Sequence, residues 1–390
     1  MKTETKKSSL ILVVLYLAYT SIYIARVNLS IASPEFIRQN ILDSAQIGVL
    51  GSCFFCVYAA GRMINGTLSD RQPPWKMLTI GLLLTGLSNV LMGWLPPYAA
   101  MVLFWMTNAY GESMLWSSVL CVVTAVCSKS TAKKVTSVMV SSVAVGNILG
   151  IAVNTGVISV FDVRFAFWIP GILTAVLGIL TFYMTRTVKT EEVSEKKHHS
   201  VFALLKNKEI LRINATAMIH GVMKENISLW MAVYIVDTYF VDLTTSSFYI
   251  LLIPTIGLAG RILYPFLLRV CKENEHKVSL ISFVVCVLAS VLLCAGKTGI
   301  VLSVLALGVI YMAISLINTS LLSIYPLRYV QTGNTASVSG IMDFSTYLGA
   351  GISSAVYGVV IQYFGYLPMF VSWVILSGIS AFILRKNARE

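Results

Sequence analysis

AAGRMINGTL at residues 59–68 recurs in a related form as LAGRILYPFL at residues 258–267. The two segments are 199 residues apart, and the same offset relates a second region of the chain. Agreement at one offset in two separate regions indicates that the chain consists of two related halves. The aligned positions are Gly61 with Gly260, Arg62 with Arg261, Gly150 with Gly349 and Phe165 with Phe364.

Most of each half is apolar enough to lie in a membrane. Hydrophobic residues make up 57% of the 390 residues and charged residues only 12%, whereas about 25% of a soluble domain is charged. A helix that crosses a bilayer needs about 20 apolar residues. The sequence therefore predicts an all-α membrane protein, with twelve transmembrane helices in two pseudo-symmetric six-helix bundles. The predicted spans are 9–33, 46–69, 75–95, 98–127, 134–160, 163–185, 209–236, 244–268, 277–296, 299–325, 335–360 and 364–384.

One long polar segment, which contains TEEVSEKKHH, interrupts these spans. It predicts a cytoplasmic linker at 186–208 between an N-terminal bundle, 1–185, and a C-terminal bundle, 209–390. Of the 29 Lys and Arg residues, 21 flank the spans on the side of the N-terminus and three flank them on the other side. This bias is typical of cytoplasmic loops. We expect a multi-pass protein of the inner (plasma) membrane with both termini in the cytoplasm.

Charge and cysteine content do not indicate another class of protein. Basic loops on one side of the membrane account for the net charge of +12, and we expect no nucleic-acid partner. The 7 cysteines are odd in number and lie mostly within spans, which argues against a disulfide framework. No cofactor or metal site is expected, and no grouping of nucleophile, base and acid indicates an enzyme. The chain is expected to be a monomer.

Two cations lie inside spans that are equivalent under the repeat. Arg26 is in the first span and Lys224 is in the seventh. A charge at the bilayer centre costs at least about 2.5–3.5 kcal/mol, so such residues usually face a cavity. Together they predict a clamp for a phosphate or carboxylate. The alternative is that Glu112, Glu225 or Asp343 neutralises them.

Two further pairs lie in the fourth and eleventh spans. Glu112 and Trp116 are four residues apart, as are Asp343 and Tyr347, so each pair shares a helix face. The two carboxylates are candidate proton carriers or candidate counter-ions of the cations.

The candidate substrate-binding residues extend this set along the same helix faces. His220 lies one turn before Lys224, and Tyr23 lies one turn before Arg26. Core packing is the alternative for the aromatic residues. A bond to a neighbouring helix or to a main-chain carbonyl is the alternative for the asparagine and the histidine, and a position at the membrane interface is the alternative for Arg62. The full set is Arg26, Lys224, Tyr23, His220, Trp116, Asn147, Tyr347 and Arg62.

GTLSDR at 66–71 has the GxxxDR pattern of the loop after the second span in the major facilitator superfamily. Transporters of that superfamily consist of two parallel six-span repeats. The resemblance implies that Asp70, with Arg71, helps to close a cytoplasmic gate.

Within this superfamily the chain resembles the organophosphate:phosphate antiporter family, which includes glycerol-3-phosphate and hexose-phosphate transporters. YIARVNLSIASP at 23–34 resembles the first span, and the substrate arginine of the family falls on Arg26. GVMKENISLW at 221–230 resembles the seventh span, with Lys224 at the position of an arginine. SGIMDFSTYLGAG resembles the eleventh span, and the basic residue of the second span falls on Arg62.

The chain departs from this family at three places. LWSS at 115–118 replaces a GWPP segment, and Gly146 and Asn147 stand where the fifth span of the family has a substrate histidine. Lys224 lacks the bidentate fork of an arginine. A carboxylate therefore competes with a phosphate ester as the expected substrate.

The predicted function is a secondary transporter that moves a small organic anion across the lipid bilayer by alternating access. The family resemblance implies exchange against inorganic phosphate. Two alternatives stay open: symport with protons, and a transporter-like receptor that senses such an anion.

Overall fold

The computed structural model describes residues 2–68, 72–188, 204, 206–296, 299–329, 331 and 334–387, and these residues are almost wholly helical. Two short irregular helices, a π-helix at Asn318–Ile324 and a 3-10 helix at Tyr325–Tyr329, directly follow the α-helix that ends at Ile317. The α-helices are α1 (Lys2–Arg38), α2 (Ser44–Leu68), α3 (Pro74–Met92), α4 (Tyr98–Ser113), α5 (Leu115–Val126), α6 (Lys129–Val160), α7 (Phe165–Thr185), α8 (Lys208–Tyr239), α9 (Leu243–Val270), α10 (Glu275–Cys294), α11 (Ile300–Ile317), α12 (Thr335–Phe364) and α13 (Leu367–Asn387).

These helices confirm the predicted fold class, because every predicted span coincides with one helix or with two or three consecutive helices. The fourth span consists of α4 and α5, which are separated only by Met114, and the tenth consists of α11 and the two irregular helices. Within the described residues, 11 spans are long and apolar enough to cross a bilayer. The seventh span, α8, is not among them because polar residues such as His220, Lys224 and Asn226 lower its hydropathy.

The ends of several helices have clear local causes. The Asn207 side chain accepts hydrogen bonds from the first main-chain N–H groups of α8, and Asp242 does the same for Thr245 in α9. Both are favourable N-caps. The Thr245 hydrogen bonds also hold the pKa of Asp242 below its usual range. Gly365, with a φ of 70°, permits the turn between α12 and α13 that other residues would strain.

The chain divides into two compact units. One contains residues 1–39 and 57–196, and the other contains residues 40–56 and 197–390. The division assigns the first part of α2 to the second unit and the rest of α2 to the first. The predicted linker falls mainly on residues 189–203, which lie outside the described residues.

In the first unit, α1 packs closely against α6. A Cβ atom on Gly146 of α6 would lie 2.6 Å from the Tyr23 Cβ and 2.7 Å from the Thr20 carbonyl oxygen of α1. Asn154 of α6 also donates a 3.0 Å hydrogen bond to the Ile24 carbonyl. The contact therefore brings the backbone of α6 against the turns of α1 that precede Arg26.

The second unit repeats this arrangement between α8 and α12. A Cβ atom on Gly221 of α8 would overlap the main-chain carbonyl of Thr346 in α12. The Thr346 hydroxyl donates a 3.1 Å hydrogen bond to the Ala217 carbonyl of α8. The corresponding helices of both halves thus meet at a glycine. Gly146 of α6 lies against the turns of α1 that precede Arg26, and Gly221 of α8 lies three positions before Lys224.

Replacement of Gly221 by alanine tests this close approach. Gly221→Ala should lower the thermal unfolding midpoint of the purified protein, since overpacking costs about 1–3 kcal/mol. Gly340→Ala in α12 is the matched control, because no atom lies within 4 Å of the added Cβ. There alanine should be neutral or stabilising by up to about 1 kcal/mol. Equal midpoints for the two variants would show that the α8–α12 contact tolerates a methyl group.

Candidate binding site

Arg26 is held in place by the residue that lies two positions after it on α1. Asn28 is fully buried, and its side-chain amide donates hydrogen bonds to Asn89 Oδ1 of α3, at 2.7 Å, and to the Ala166 carbonyl of α7, at 3.1 Å. Residues two apart on an α-helix point in nearly opposite directions. Because Asn28 faces α3 and α7, Arg26 is directed toward the other side of α1.

Arg26, Glu112, Tyr23 and Tyr58 form a compact group, here called the Arg26 cluster. The Arg26 Nε donates a 2.7 Å hydrogen bond to Glu112 Oε2, and its Nη2 donates to the same oxygen. The guanidinium carbon lies 4.8 Å from the ring centroid of Tyr23 and 4.8 Å from that of Tyr58. Arg26 is therefore neutralised by one carboxylate and contacts the faces of two aromatic rings, an arrangement that stabilises a cation in an apolar environment.

The degree of exposure differs within this ion pair. The Arg26 side chain is 13% exposed, whereas the Glu112 side chain is 0% exposed. Glu112 Oε1 is also buried, and the buried side chain of Asn108 lies beside the carboxylate. The guanidinium can thus meet a solute, but its carboxylate partner lies behind it in the protein.

Two further predicted residues lie around the Arg26 cluster. The Arg62 guanidinium lies 5.9 Å from the Tyr58 ring and donates to the Tyr58 hydroxyl at 3.5 Å. Trp116 packs on Tyr19 with ring centroids 5.2 Å apart, and Tyr19 packs on Tyr23 at 5.6 Å. Met114, between α4 and α5, has nearly helical torsion angles, so Glu112 and Trp116 both reach the side of α1 that carries Arg26.

Lys224, Glu225 and Tyr347 form the corresponding group in the second unit, the Lys224 cluster. The Lys224 ammonium donates a 2.6 Å hydrogen bond to Glu225 Oε1. It lies 5.8 Å from the centroid of the Tyr347 ring. The Lys224 side chain is 29% exposed and that of Glu225 is 8% exposed. A cation that retains access to solvent is again paired with a more deeply buried carboxylate.

A buried asparagine again follows this cation by two positions. The Asn226 amide donates a 2.7 Å hydrogen bond to Ser353 Oγ of α12, and Asn226 Oδ1 accepts one of 3.2 Å from Ser354. In each half, a buried asparagine two positions after the cation thus bonds a neighbouring helix and fixes the helix that carries the charge.

Some predicted residues have other surroundings. His220 is fully buried, with the Ile314 main chain and Lys224 near its ring, so it is not open to a solute in this structure. The side-chain amide of Asn147 bonds the Val143 carbonyl of its own helix at 2.9 Å, rather than a neighbouring helix. Asp343 lies one turn before Tyr347 on α12 and is partly buried. Asp70 and Arg71, the predicted gate residues, lie outside the described residues.

Tyr58 was missed by sequence reasoning, whereas Glu225 was one of the three carboxylates named as possible partners of the cations and pairs with Lys224. Tyr58 lies one turn before Arg62, and this spacing was a usable indication that one aromatic ring serves two arginines. Glu225 is adjacent to Lys224 in sequence, and neighbours on a helix do not usually face each other. Only the extended side chains allow this pair to form.

The chemistry of the two clusters is that of charge recognition. They offer guanidinium and ammonium donors, phenol rings and carboxylates. Among the described residues, no group of three or more His, Cys, Asp or Glu side chains is arranged to hold a metal ion. The arrangement suits the binding of an anionic or strongly polar solute.

A helical protein of two related membrane-spanning halves, each with an embedded cation, belongs to the general class of polytopic membrane transporters. The sequence model of the Major Facilitator Superfamily matches residues 15–354. The chain belongs to this superfamily. Its family and relatives are transporters rather than enzymes, as the sequence predicts.

Relatives in sequence confirm the resemblance to the organophosphate:phosphate antiporter family. A probable hexose phosphate transport protein of Chlamydia trachomatis is 32% identical over 167 residues, which cover 43% of this chain and 36% of that protein. The membrane sensor protein UhpC of Escherichia coli is 31% identical over 111 residues, 28% of this chain and 25% of that protein. The matches therefore span between 25% and 36% of the length of these relatives.

A solved structure extends the likeness over nearly the whole fold. The crystal structure of a bacterial homologue of the human lysosomal transporter Spinster superposes with a TM-score of 0.82. It is 14% identical in sequence and covers 98% of this chain and 97% of that one. At this identity the likeness shows the fold alone.

A double-mutant cycle tests whether Arg26 and Glu112 are energetically coupled. Glu112→Ala should lower stability by about 3–5 kcal/mol, because it leaves a membrane-embedded guanidinium without its carboxylate. Adding Arg26→Ala should recover part of that loss, so the two effects should not add. The readout is thermal unfolding of the purified protein.

The pair Arg38–Glu35 on α1, whose arginine side chain is 75% exposed, provides the control cycle, with an expected coupling below about 1 kcal/mol. Additive effects of Arg26→Ala and Glu112→Ala would contradict the coupling.

Proposed function

We propose that this chain moves a small organic anion, a phosphate ester or a carboxylate, across the inner (plasma) membrane by alternating access. The observation that carries this proposal is the pair of membrane-embedded cations, Arg26 and Lys224. Each lies on the first helix of its half, and each keeps part of its side chain exposed. Embedded ionisable residues usually mark the path of a substrate.

The class of substrate follows from the donors and from the relatives. Arginine and lysine side chains without a metal ion recognise carboxylates and phosphates. One relative is named a hexose phosphate transport protein, which favours a phosphate ester. The lysine at position 224 acts as a point charge and cannot donate two parallel hydrogen bonds as an arginine does. A carboxylate therefore remains among the proposed substrates.

The proposed movement is that of the superfamily, in which one six-helix repeat rocks against the other around a site near the bilayer midplane. The excess of basic residues on one side supports cytoplasmic termini. Two couplings are compatible with this function: exchange against phosphate, which the family resemblance implies, and uptake together with protons.

Substitution of either cation tests the site. Arg26→Ala and Lys224→Ala should each weaken anion binding at least about 30-fold, since loss of one partner of a buried charge interaction costs about 2–5 kcal/mol. Binding is measured as the thermal shift of purified protein against hexose phosphates, hexuronates and small carboxylates.

Exposed cations on the same two helices serve as matched controls. Arg38→Ala on α1 and Arg212→Ala on α8 should leave the shift intact, because both side chains lie at the protein surface. If both Arg26→Ala and Lys224→Ala keep normal affinity, the anion binds elsewhere.

A second candidate function is a receptor that binds such an anion and transports little of it, because one relative is named a membrane sensor protein. Counterflow in proteoliposomes separates the two functions. The transporter should accumulate labelled anion transiently in vesicles preloaded with the same unlabelled anion. Binding by thermal shift with no counterflow above protein-free vesicles would favour the receptor.

A further inference from the structure

A second embedded cation, Arg261, lies in the same half as Lys224. It belongs to α9, a helix that is long and apolar enough to cross a bilayer. At 1.5 Å per residue, Arg261 is about 14 Å from the end of this helix at Val270. The hydrocarbon core of a bilayer is about 30 Å thick, so Arg261 lies at membrane depth. A charge at such depth requires a partner or contact with water.

The protein does not neutralise Arg261 as it neutralises the other embedded cations. Arg26 and Lys224 each donate to a carboxylate, and Arg62 donates to the hydroxyl of Tyr58. Arg261 is exposed, and it makes no hydrogen bond, ion pair or ring contact within the described part of the chain. Its charge is therefore available to a group from outside the protein.

The surroundings of Arg261 on α9 favour contact with water over contact with lipid tails. Pro265 lies one turn after Arg261 and has no N–H, so it cannot donate the helical hydrogen bond to the Arg261 carbonyl. Pro265 is also exposed. Main-chain polar groups that lack a helical partner are tolerated at membrane depth where they line a water-filled cavity or are buried in protein. A guanidinium and a freed carbonyl together indicate a surface that a polar solute can reach.

Tyr311 of α11 connects this surface with the Lys224 cluster. Its ring packs on Gly257 of α9, where an added Cβ would lie 2.3 Å from the ring. Its phenol is near enough to Lys224 to interact with the ammonium charge. Gly257 lies one turn before Arg261, which corresponds to a rise of about 6 Å. A solute that leaves the Lys224 cluster toward the Val270 end of α9 therefore meets Arg261.

The sequence repeat supports the same location for an arginine near the site. Arg261 is aligned with Arg62, which lies beside the Tyr58 ring in the first half. The counterpart of Tyr58 at the same offset is Gly257, and the Tyr311 ring occupies the space next to it. Each half thus places an arginine one turn after an aromatic contact, with the ring supplied by a different helix in the second half.

We propose, on the basis of the proposed function, that Arg261 is a further anion-binding group of the C-terminal half. It binds the phosphate or carboxylate of the solute between the Lys224 cluster and the side of the membrane on which α9 ends. A guanidinium donates two parallel hydrogen bonds to such a group, which a lysine cannot do. Lys224 already contacts Glu225, whereas no carboxylate of the described residues competes for Arg261. Arg261 therefore supplies the bidentate contact that position 224 lacks.

Substitution of Arg261 tests this role by thermal-shift titration of the purified protein. The probes are a hexose phosphate, a hexuronate and a small carboxylate. Arg261→Gln should raise the dissociation constant of a probe that binds the parent at least about tenfold, the effect of losing a hydrogen bond to a charged group. Arg261→Lys keeps the charge and loses the paired donors, so its constant should lie between those of the parent and Arg261→Gln. Arg269→Gln, an exposed arginine on the same helix, is the matched control and should keep the parent constant.

The unfolding midpoint without an anion separates a binding role from a structural one. Arg261 has no partner among the described residues, so Arg261→Gln should leave this midpoint unchanged or raise it. A midpoint that falls together with the affinity would show that Arg261 holds the fold rather than the anion, and would overturn the proposal.

A lipid phosphate is another source of the same chemistry. If a lipid occupies Arg261, Arg261→Gln should keep the dissociation constants of the parent. Phosphatidylglycerol added to delipidated protein should then raise the unfolding midpoint of the parent more than that of the variant. These two results together would overturn the proposal in favour of a lipid contact.

Counterflow in proteoliposomes separates this proposal from the function on which it rests. A parent that shows counterflow, with an Arg261→Gln variant that keeps the parent dissociation constant, would contradict the Arg261 site alone. A parent that binds none of the probes and shows no counterflow would contradict the proposed function, and the Arg261 site with it.

Discussion

The internal neutralisation of Arg26 by Glu112 is the interaction on which the rest of the first half depends. A guanidinium in the apolar part of a membrane persists only where the protein supplies negative charge and polarisable faces. Glu112 supplies the charge, and the rings of Tyr23 and Tyr58 supply the faces. Asn28 fixes the rotation of α1 that turns Arg26 toward these partners. Removal of any one of these elements would leave a charge or an amide without compensation in the membrane.

The second half meets the same constraint with different residues. Lys224 is compensated by Glu225, Tyr347 lies beside it, and Asn226 fixes α8 against α12. The halves therefore share a design and not a set of residues: a cation on the first helix, an acid beside it, an aromatic ring, and a buried amide two positions on. A sequence repeat that has become faint retains this pattern because the membrane penalises uncompensated charge in both halves alike.

The sequence predicted the helices well because a bilayer requires long apolar runs, and it located Arg26 and Lys224 because charge within such runs is rare. The partners were harder to find. Arg26 and Glu112 are 86 positions apart, and no local pattern connects them. The change from π-helix to 3-10 helix at Tyr325 comes directly before Pro326, whose missing N–H interrupts regular helix. The break between α4 and α5 at Met114 has no proline that would predict it from the sequence.

The ion pairs also limit the affinity for an anion, because an arriving anion would compete with the carboxylate that already contacts each cation. Glu112 is itself a carboxylate held by Arg26, so the empty Arg26 cluster already contains an intramolecular competitor for the guanidinium. A substrate gains affinity only from the difference between its own contacts and those of Glu112.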